Sequence, residues 1–205
     1  MTHRWAAEVA ARVRGHDRDD RRVAERPDLR RAAVAVVVLD DPERGLGVLL
    51  TRRTSKLRDH PGQFALPGGS VDPGEDTVTA ALRELDEELG LTLGPDAVLG
   101  MLDDYPTRSG FVITPVVMAG PGAVADLVPS PDEVSELFHI TFDELDVEPR
   151  YVTIEESPRP VVQMPLVGHY IHAPTGAVLL QFREVALHGR TMRVDGLEQP
   201  VFAWR

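Results

Sequence analysis

A chain of 205 residues, 42% of them hydrophobic, suits one α/β or α+β domain with a sizeable core and is short for two. Its 33 acidic residues outnumber 22 lysines and arginines, and the net charge of −11 disfavours general nucleic-acid binding. The absence of cysteine excludes disulfides, thiolate zinc sites and thiol nucleophiles.

Residues 1–31 are rich in Arg, Asp and Ala. Trp5, Val9 and Val13 recur at helical spacing, which predicts a short amphipathic helix and an N-terminal helical extension over 1–31. This terminus has no apolar core of signal-peptide type, and the longest apolar runs are too short to span a bilayer. A cytoplasmic protein with no membrane partner is expected. Ala32–Leu39 is short and β-branched and reads as a buried strand. Asp40–Gly47 reads as a turn, Val48–Thr51 as the paired strand, and Arg52–Gly69 as a loop. A helix is expected from Asp76 or Thr77 to near Gly90, a good C-cap. Strands follow at Val98–Leu102, Phe111–Met118 and Val134–Ile140, with Thr141 capping a short helix over Phe142–Leu145. Val161–His172 and Gly176–Leu187, flanking Ala173–Pro174–Thr175, read as a hairpin. The order of elements is that of a mixed α+β domain.

The helix before Gly90 carries the chemistry. At 100° per residue, Glu84, Glu87 and Glu88 fall within an arc about 100° wide. Val78, Leu82, Leu85 and Leu89 fall on a neighbouring arc suited to a sheet. Three carboxylates on one exposed stripe repel one another. They are either a solvated acidic face or a set of hard oxygen ligands for Mg²⁺ or Mn²⁺. Pro67–Gly68–Gly69 lies upstream, where no Cβ keeps a backbone carbonyl from a metal.

The segment GSVDPGEDTVTAALRELDEELGL fills every specified position of the Nudix signature: Gly69, Glu75, Arg83, Glu84, Leu85, Glu87, Glu88, Gly90 and Leu91. The chain resembles the Nudix hydrolase superfamily, with a signature box at 69–91 inside a domain spanning 32–205. The resemblance implies an α/β/α sandwich with a mixed β-sheet. It also implies a divalent-metal-dependent hydrolase of a nucleoside diphosphate linked to another group. Glu84, Glu87 and Glu88 would be metal ligands, with the Gly68 carbonyl as a further one. Arg83 and Glu75 would brace the loop and orient the carboxylates. The general base would be Glu87 or an acid beyond the box, Glu133 or Glu136.

The preceding segment, LLTRRTSKLRDHPGQFALPGG, is similar to the motif ahead of the box in coenzyme A diphosphatases. Leu49, Leu50, Thr51, Arg58, Gly62, Pro67, Gly68 and Gly69 match; Arg53, Thr54 and Leu66 depart from it. Arg52, Arg53, Lys56 and Arg58 offer positive charge for a 3′,5′-ADP moiety. Arg52, Arg53, Arg58, Gly62 and Gly69 are therefore the candidate substrate-binding residues. His60, on the same loop, and Arg108, in a polar turn, are candidates to face the site. The other histidines have no metal-ligand spacing and read as structural. The resemblance covers roughly 32–145.

The tail diverges. Family members often open a second core helix after the last strand with Trp-Gly-x-Thr-Ala, a segment lacking here. A sandwich without that helix would leave one sheet face wet. The helix around Trp5, or a second subunit in a homodimer, is expected to cover it. The expected partner is a small nucleotide, CoA or acyl-CoA. The alternatives are ADP-ribose, NADH or a (deoxy)nucleoside triphosphate as substrate, and, in another class, an inactive nucleotide-binding module.

Overall fold

The computed structural model describes residues 4–55 and 62–204. Helix α1 (Arg4–Gly15) and a single turn, α2 (Arg22–Glu25), precede β1 (Arg30–Asp41) and β2 (Gly45–Arg53). Two short strands, β3 (Phe64–Ala65) and β4 (Gly68–Ser70), lie ahead of α3 (Thr77–Leu89). Next come β5 (Val98–Met101), β6 (Tyr105–Pro106), β7 (Phe111–Ala119), β8 (Val134–Thr141) and the turn α4 (Phe142–Leu145). The chain closes with β9 (Arg150–Ile154), β10 (Ser157–Leu166), β11 (His169–His172) and α5 (Thr175–Phe182).

Among the described residues the main sheet has eight strands in a mixed arrangement. Its spine runs β3-β2-β1-β7-β5, with β4 on β1, β6 on β7 and β8 on β2. β1 and β7 are parallel, from Arg30 opposite Phe111 to Val38 opposite Ala119. Side chains alternate across β1 with period two. Ala33, Ala35, Val37 and Leu39 meet Ala80, Ala81, Leu85 and Leu89 of α3. Val36 and Val38 face the other way, into a core shared with Val9 and Val13 of α1 and Val178, Leu179 and Phe182 of α5. Both faces are thus covered, which is why β1 reads as an unbroken apolar run. The result is the expected α/β/α sandwich in an α+β chain.

β1 and β2 pair only at their turn end, from Val38 opposite Val48 to Asp41 opposite Gly45. Beyond it they splay. Ala32, Ala33 and Val34 of β1 pair with β4, whereas Thr51 and Arg52 of β2 pair with β3. The Pro67 carbonyl fills the fork by accepting from Ala35 N–H at 2.8 Å. Gly68 is pressed so close to β1 that a Cβ would meet the Ala33 carbonyl oxygen at 2.2 Å.

Most sequence expectations up to Leu145 stand within a residue or two, α1 and the Thr141-capped α4 included. β1 starts two residues before the anticipated domain boundary, at Arg30. The later hairpin does not stand as drawn. Its strands are β10 and β11, reversing at Val167–Gly168, both with positive φ. Gly176–Leu187 is instead helical: α5 and a π-helical turn, Arg183–Leu187. The residues of α5 from Gly176 to Phe182 are all buried, so the segment has no polar face and shows no helical period. Gly176 marks close packing, since a Cβ there would meet the Ile171 carbonyl oxygen at 2.3 Å. The expected bare sheet face is therefore covered by α5 together with α1, within one chain. Among the described residues no helix is long and apolar enough to cross a membrane.

Candidate active site

α3 is fixed at both ends by local chemistry. Asp76 caps it by accepting from Thr79 N–H at 2.7 Å, and Gly90 ends it at φ 63°, a left-handed residue that favours glycine. Arg83, in its middle, is the organising cation. Its Nε and Nη2 donate to the two carboxylate oxygens of Glu75, both at 3.1 Å. Nη2 also donates to the Ser70 carbonyl at 3.1 Å, and Nη1 to Glu84 at 2.8 Å and Glu87 at 3.1 Å. Arg83 thus ties the β4 loop to the helix. Glu75 is held below the usual carboxylate range by Arg83 and by the Asp72 N–H.

The three signature glutamates differ in exposure. Glu87 is exposed, Glu84 is partly covered, and Glu88 is 3% exposed. The expectation of one exposed stripe is corrected here. Glu88 stands two turns after Ala81 on the same line of the helix, and Ala81 is buried against the sheet. Burial pushes the Glu88 carboxyl up to about 8, opposed by Arg53 and reinforced by Glu84 and Glu133. Burial also pushes Glu84 up, against the pull of Arg83. Arg53 Nη1 lies 3.8 Å from Glu88 Oε1, beyond hydrogen-bond reach.

A buried carboxylate with two acids nearby, met only by a backbone hydrogen bond from Gly68 and an arginine beyond hydrogen-bond reach, is costly unless a cation joins it. The donor set consists of oxygens alone, as Mg²⁺ and Mn²⁺ prefer. Gly69 leaves the space that Glu84 occupies, for a Cβ there would meet Glu84 Oε1 at 2.3 Å. These residues fit a hard divalent cation, although among the described residues no three acids or histidines are already gathered at metal-binding distance. Arg83 engages Glu84 and Glu87 in this arrangement.

Beside Gly68–Ser70 opens a cavity of about 590 Å³. Val34, Phe64, Leu66, Phe111 and Ile113 form one side; Ile171, Val178, Phe202 and Ala203 form the other. Arg30 and Arg53 are its charged lining residues, and Arg30 is stacked on the Phe111 ring with its guanidinium 4.0 Å from the centroid.

Among the anticipated substrate residues, Gly69 and Arg53 line this cavity. Arg52 turns away, donating to Glu136 at 2.8 Å and to the Gly62 carbonyl at 3.2 Å. Gly62 serves that contact, with φ 68°. Lys56, Arg58 and His60 lie outside the described residues. Arg108, a candidate to face the site, is instead committed to Glu198, Nη2 to Oε2 at 2.6 Å. Glu136 is neutralised by Arg52, whereas Glu133 is the acid beyond the box that acts electrostatically on Glu84 and Glu88. Sequence reasoning missed Arg30, Tyr170, His172, Gln199 and Phe202 as lining residues; they are distant in the chain and carry no motif.

Residues 29–161 match the NUDIX domain family model. The chain belongs to the NUDIX family. An uncharacterized Nudix hydrolase, NudL of Pectobacterium atrosepticum, is 40% identical over 130 residues, covering 62% of this chain and 65% of that protein. NudL of Yersinia pestis is 38% identical over the same length, covering 62% of each chain. The match thus spans less than two thirds of either relative. The Nudix hydrolase RenU of M. smegmatis shares the fold, with a TM-score of 0.51 at 20% identity, covering 80% of this chain and 89% of that one. Everything after residue 161, including one side of the cavity, lies beyond the NUDIX match.

Proposed function

We propose that this Nudix chain hydrolyses the diphosphate bond between a nucleoside and a second group with Mg²⁺ or Mn²⁺. The preferred substrate is CoA or an acyl-CoA, giving 3′,5′-ADP and (acyl-)4′-phosphopantetheine. The observation that carries this reading is the buried, under-neutralised carboxylate of Glu88 beside Gly68, at the edge of a cavity large enough for a small-molecule substrate.

Glu84, Glu87 and Glu88, with the Gly68 carbonyl, would hold the cation. When bound, it supplies charge neutralisation of the diphosphate oxygens and acidifies water. Arg83 and Glu75 orient the glutamates by the fork described above. Glu87 or Glu133 takes the proton from the water that attacks phosphorus as the P–O bond to the leaving phosphate breaks. Arg53 faces the phosphates from the cavity side. Arg58, with Gly62 and Gly69 shaping the loop, would receive the 3′,5′-ADP part, the feature that the resemblance to coenzyme A diphosphatases supports.

The test is a substrate panel with product identification. The full chain is assayed with Mg²⁺ and with Mn²⁺ on CoA, an acyl-CoA, ADP-ribose, NADH and dGTP. CoA turnover yielding 3′,5′-ADP supports the reading. An inert CoA beside good ADP-ribose turnover overturns the substrate assignment. Nucleotide binding without turnover of any compound overturns the hydrolase itself.

A further inference from the structure

The cavity beside the box is built by two parts of the chain with different standing. Its sheet side belongs to the NUDIX match, and its opposite side, from Tyr170 through Ala203, does not. That second side is held in place firmly. Glu198, 1% exposed, accepts from Ser157 Oγ at 2.8 Å, Arg159 Nη2 at 2.9 Å and Arg108 Nη2 at 2.6 Å. Gln199 Oε1 accepts from Arg108 N–H at 2.6 Å, and the Gln199 carbonyl accepts from Trp204 Nε1 at 2.9 Å. The tail that follows is thereby pinned, and its 3₁₀ turn, Val201–Ala203, sets Phe202 at the cavity mouth.

Phe202 is 60% exposed, and Tyr170, also at the mouth, is 49% exposed. Phe202 meets His172 edge to face at 5.4 Å. Aromatic surface left in water around a largely apolar cavity is the signature of a ligand-binding mouth. Among the described residues no acidic side chain lines the cavity; apart from Arg30, which is stacked on Phe111, and Arg53, assigned above to the phosphates, its polar groups are uncharged, among them Gln63, Thr107, Ser109 and Gln199. Such a lining suits a neutral chain with amide groups better than a further phosphate. With the nucleotide assigned above to the loop ahead of the box, the cavity is left for the other end of the substrate.

We propose that the C-terminal segment is the specificity element of this protein. Its cavity receives the uncharged, amide-bearing arm of a pantetheine-type substrate, and Phe202 is the residue that selects this arm. Glu198 is the positioning residue that holds Phe202 at the mouth. The choice of arm rests on the diphosphatase reading above, but its test is independent of catalysis.

Pantetheine, which carries no phosphate and needs no metal, is titrated calorimetrically into the full chain and its variants. Wild type and Glu84→Gln bind it alike. Phe202→Ala weakens binding about tenfold, and Phe202→Tyr restores it. Because Phe202 is mostly exposed, its loss leaves the fold intact, which circular dichroism verifies. With CoA as substrate, Phe202→Ala lowers kcat/KM about tenfold, chiefly through KM. Wild type that binds no pantetheine at millimolar concentration, or Phe202→Ala that binds it as wild type does, overturns the inference. CoA that is inert while pantetheine binding still depends on Phe202 overturns only the substrate assignment. CoA that turns over with Phe202→Ala unaltered overturns only the role of Phe202.

Discussion

Arg83 grips Glu75 through two parallel hydrogen bonds, Nε to Oε1 and Nη2 to Oε2, both 3.1 Å. This fork joins the loop ahead of α3 to the middle of the helix, and the same guanidinium reaches Glu84 and Glu87. Glu75→Gln breaks the charge-assisted pair while keeping the shape. Arg83 is then drawn further onto Glu84 and Glu87. The expected result is a loss of about 10–100-fold in metal affinity and turnover, typical of outer partners of metal ligands. Activity measured against Mg²⁺ concentration checks it; an unchanged metal dependence refutes the bracing role.

Glu88 is buried with its nearest cation among the described residues 3.8 Å away, so burying this carboxyl, whether ionised or held protonated, opposes folding until a metal arrives. Glu88→Gln removes that ionisable group in nearly the same volume. Metal-free protein should gain about 0.5–2 kcal/mol of stability. Turnover should fall by more than the roughly 10–100-fold that outer partners cost. Thermal melting with and without Mg²⁺, beside an activity assay, tests both halves. A variant that is less stable and fully active contradicts the assignment.

Gly68 and Gly69 are adjacent and should fail differently. A Cβ on Gly68 meets the backbone of β1, the Ala33 carbonyl at 2.2 Å and Val34 Cα at 2.7 Å, and neither can yield cheaply. Gly68→Ala should cost about 1–3 kcal/mol or more, seen as a drop in Tm. A Cβ on Gly69 meets the end of the Glu84 side chain, which can swing aside. Gly69→Ala should therefore melt within about 1 kcal/mol of wild type yet lose activity, because Glu84 is displaced. Equal melting temperatures for the two variants would count against the wedge between β1 and β2.

Glu198 gives the tail an acid sensitivity. Burial pushes its carboxyl up, but Arg108, Ser157, Gln199 N–H and Arg159 together outweigh that and hold it at about 2. An unfolded glutamate titrates near 4.3. A depressed folded value means stability present above about 4.3 and lost as pH falls toward 2. The amount is on the order of 3 kcal/mol. Glu198→Gln should flatten the acid limb of a stability–pH curve between these values and lower stability at neutral pH. An acid limb unchanged by the substitution would show that Glu198 is not the group responsible.

The parts of this protein that were legible in the sequence are those whose causes are local. Asp76 and Gly90 cap α3 through atoms within a few residues, so both ends of the helix could be read directly. The alternation along β1 and the spacing of the signature residues are likewise properties of short segments. What only the tertiary structure decided depends on which surfaces meet. Glu88 is buried because its line on α3 faces the sheet, and Arg108 is committed to Glu198, 90 residues away. α5 escaped notice because burial on every side removes the polar face that would reveal its period. The cavity wall escaped for a different reason, because its residues are distant in the chain and share no local pattern. Phe64, Phe111 and Phe202 are ordinary apolar residues until the splay of β1 from β2 and the pinned C-terminal tail bring them around one space.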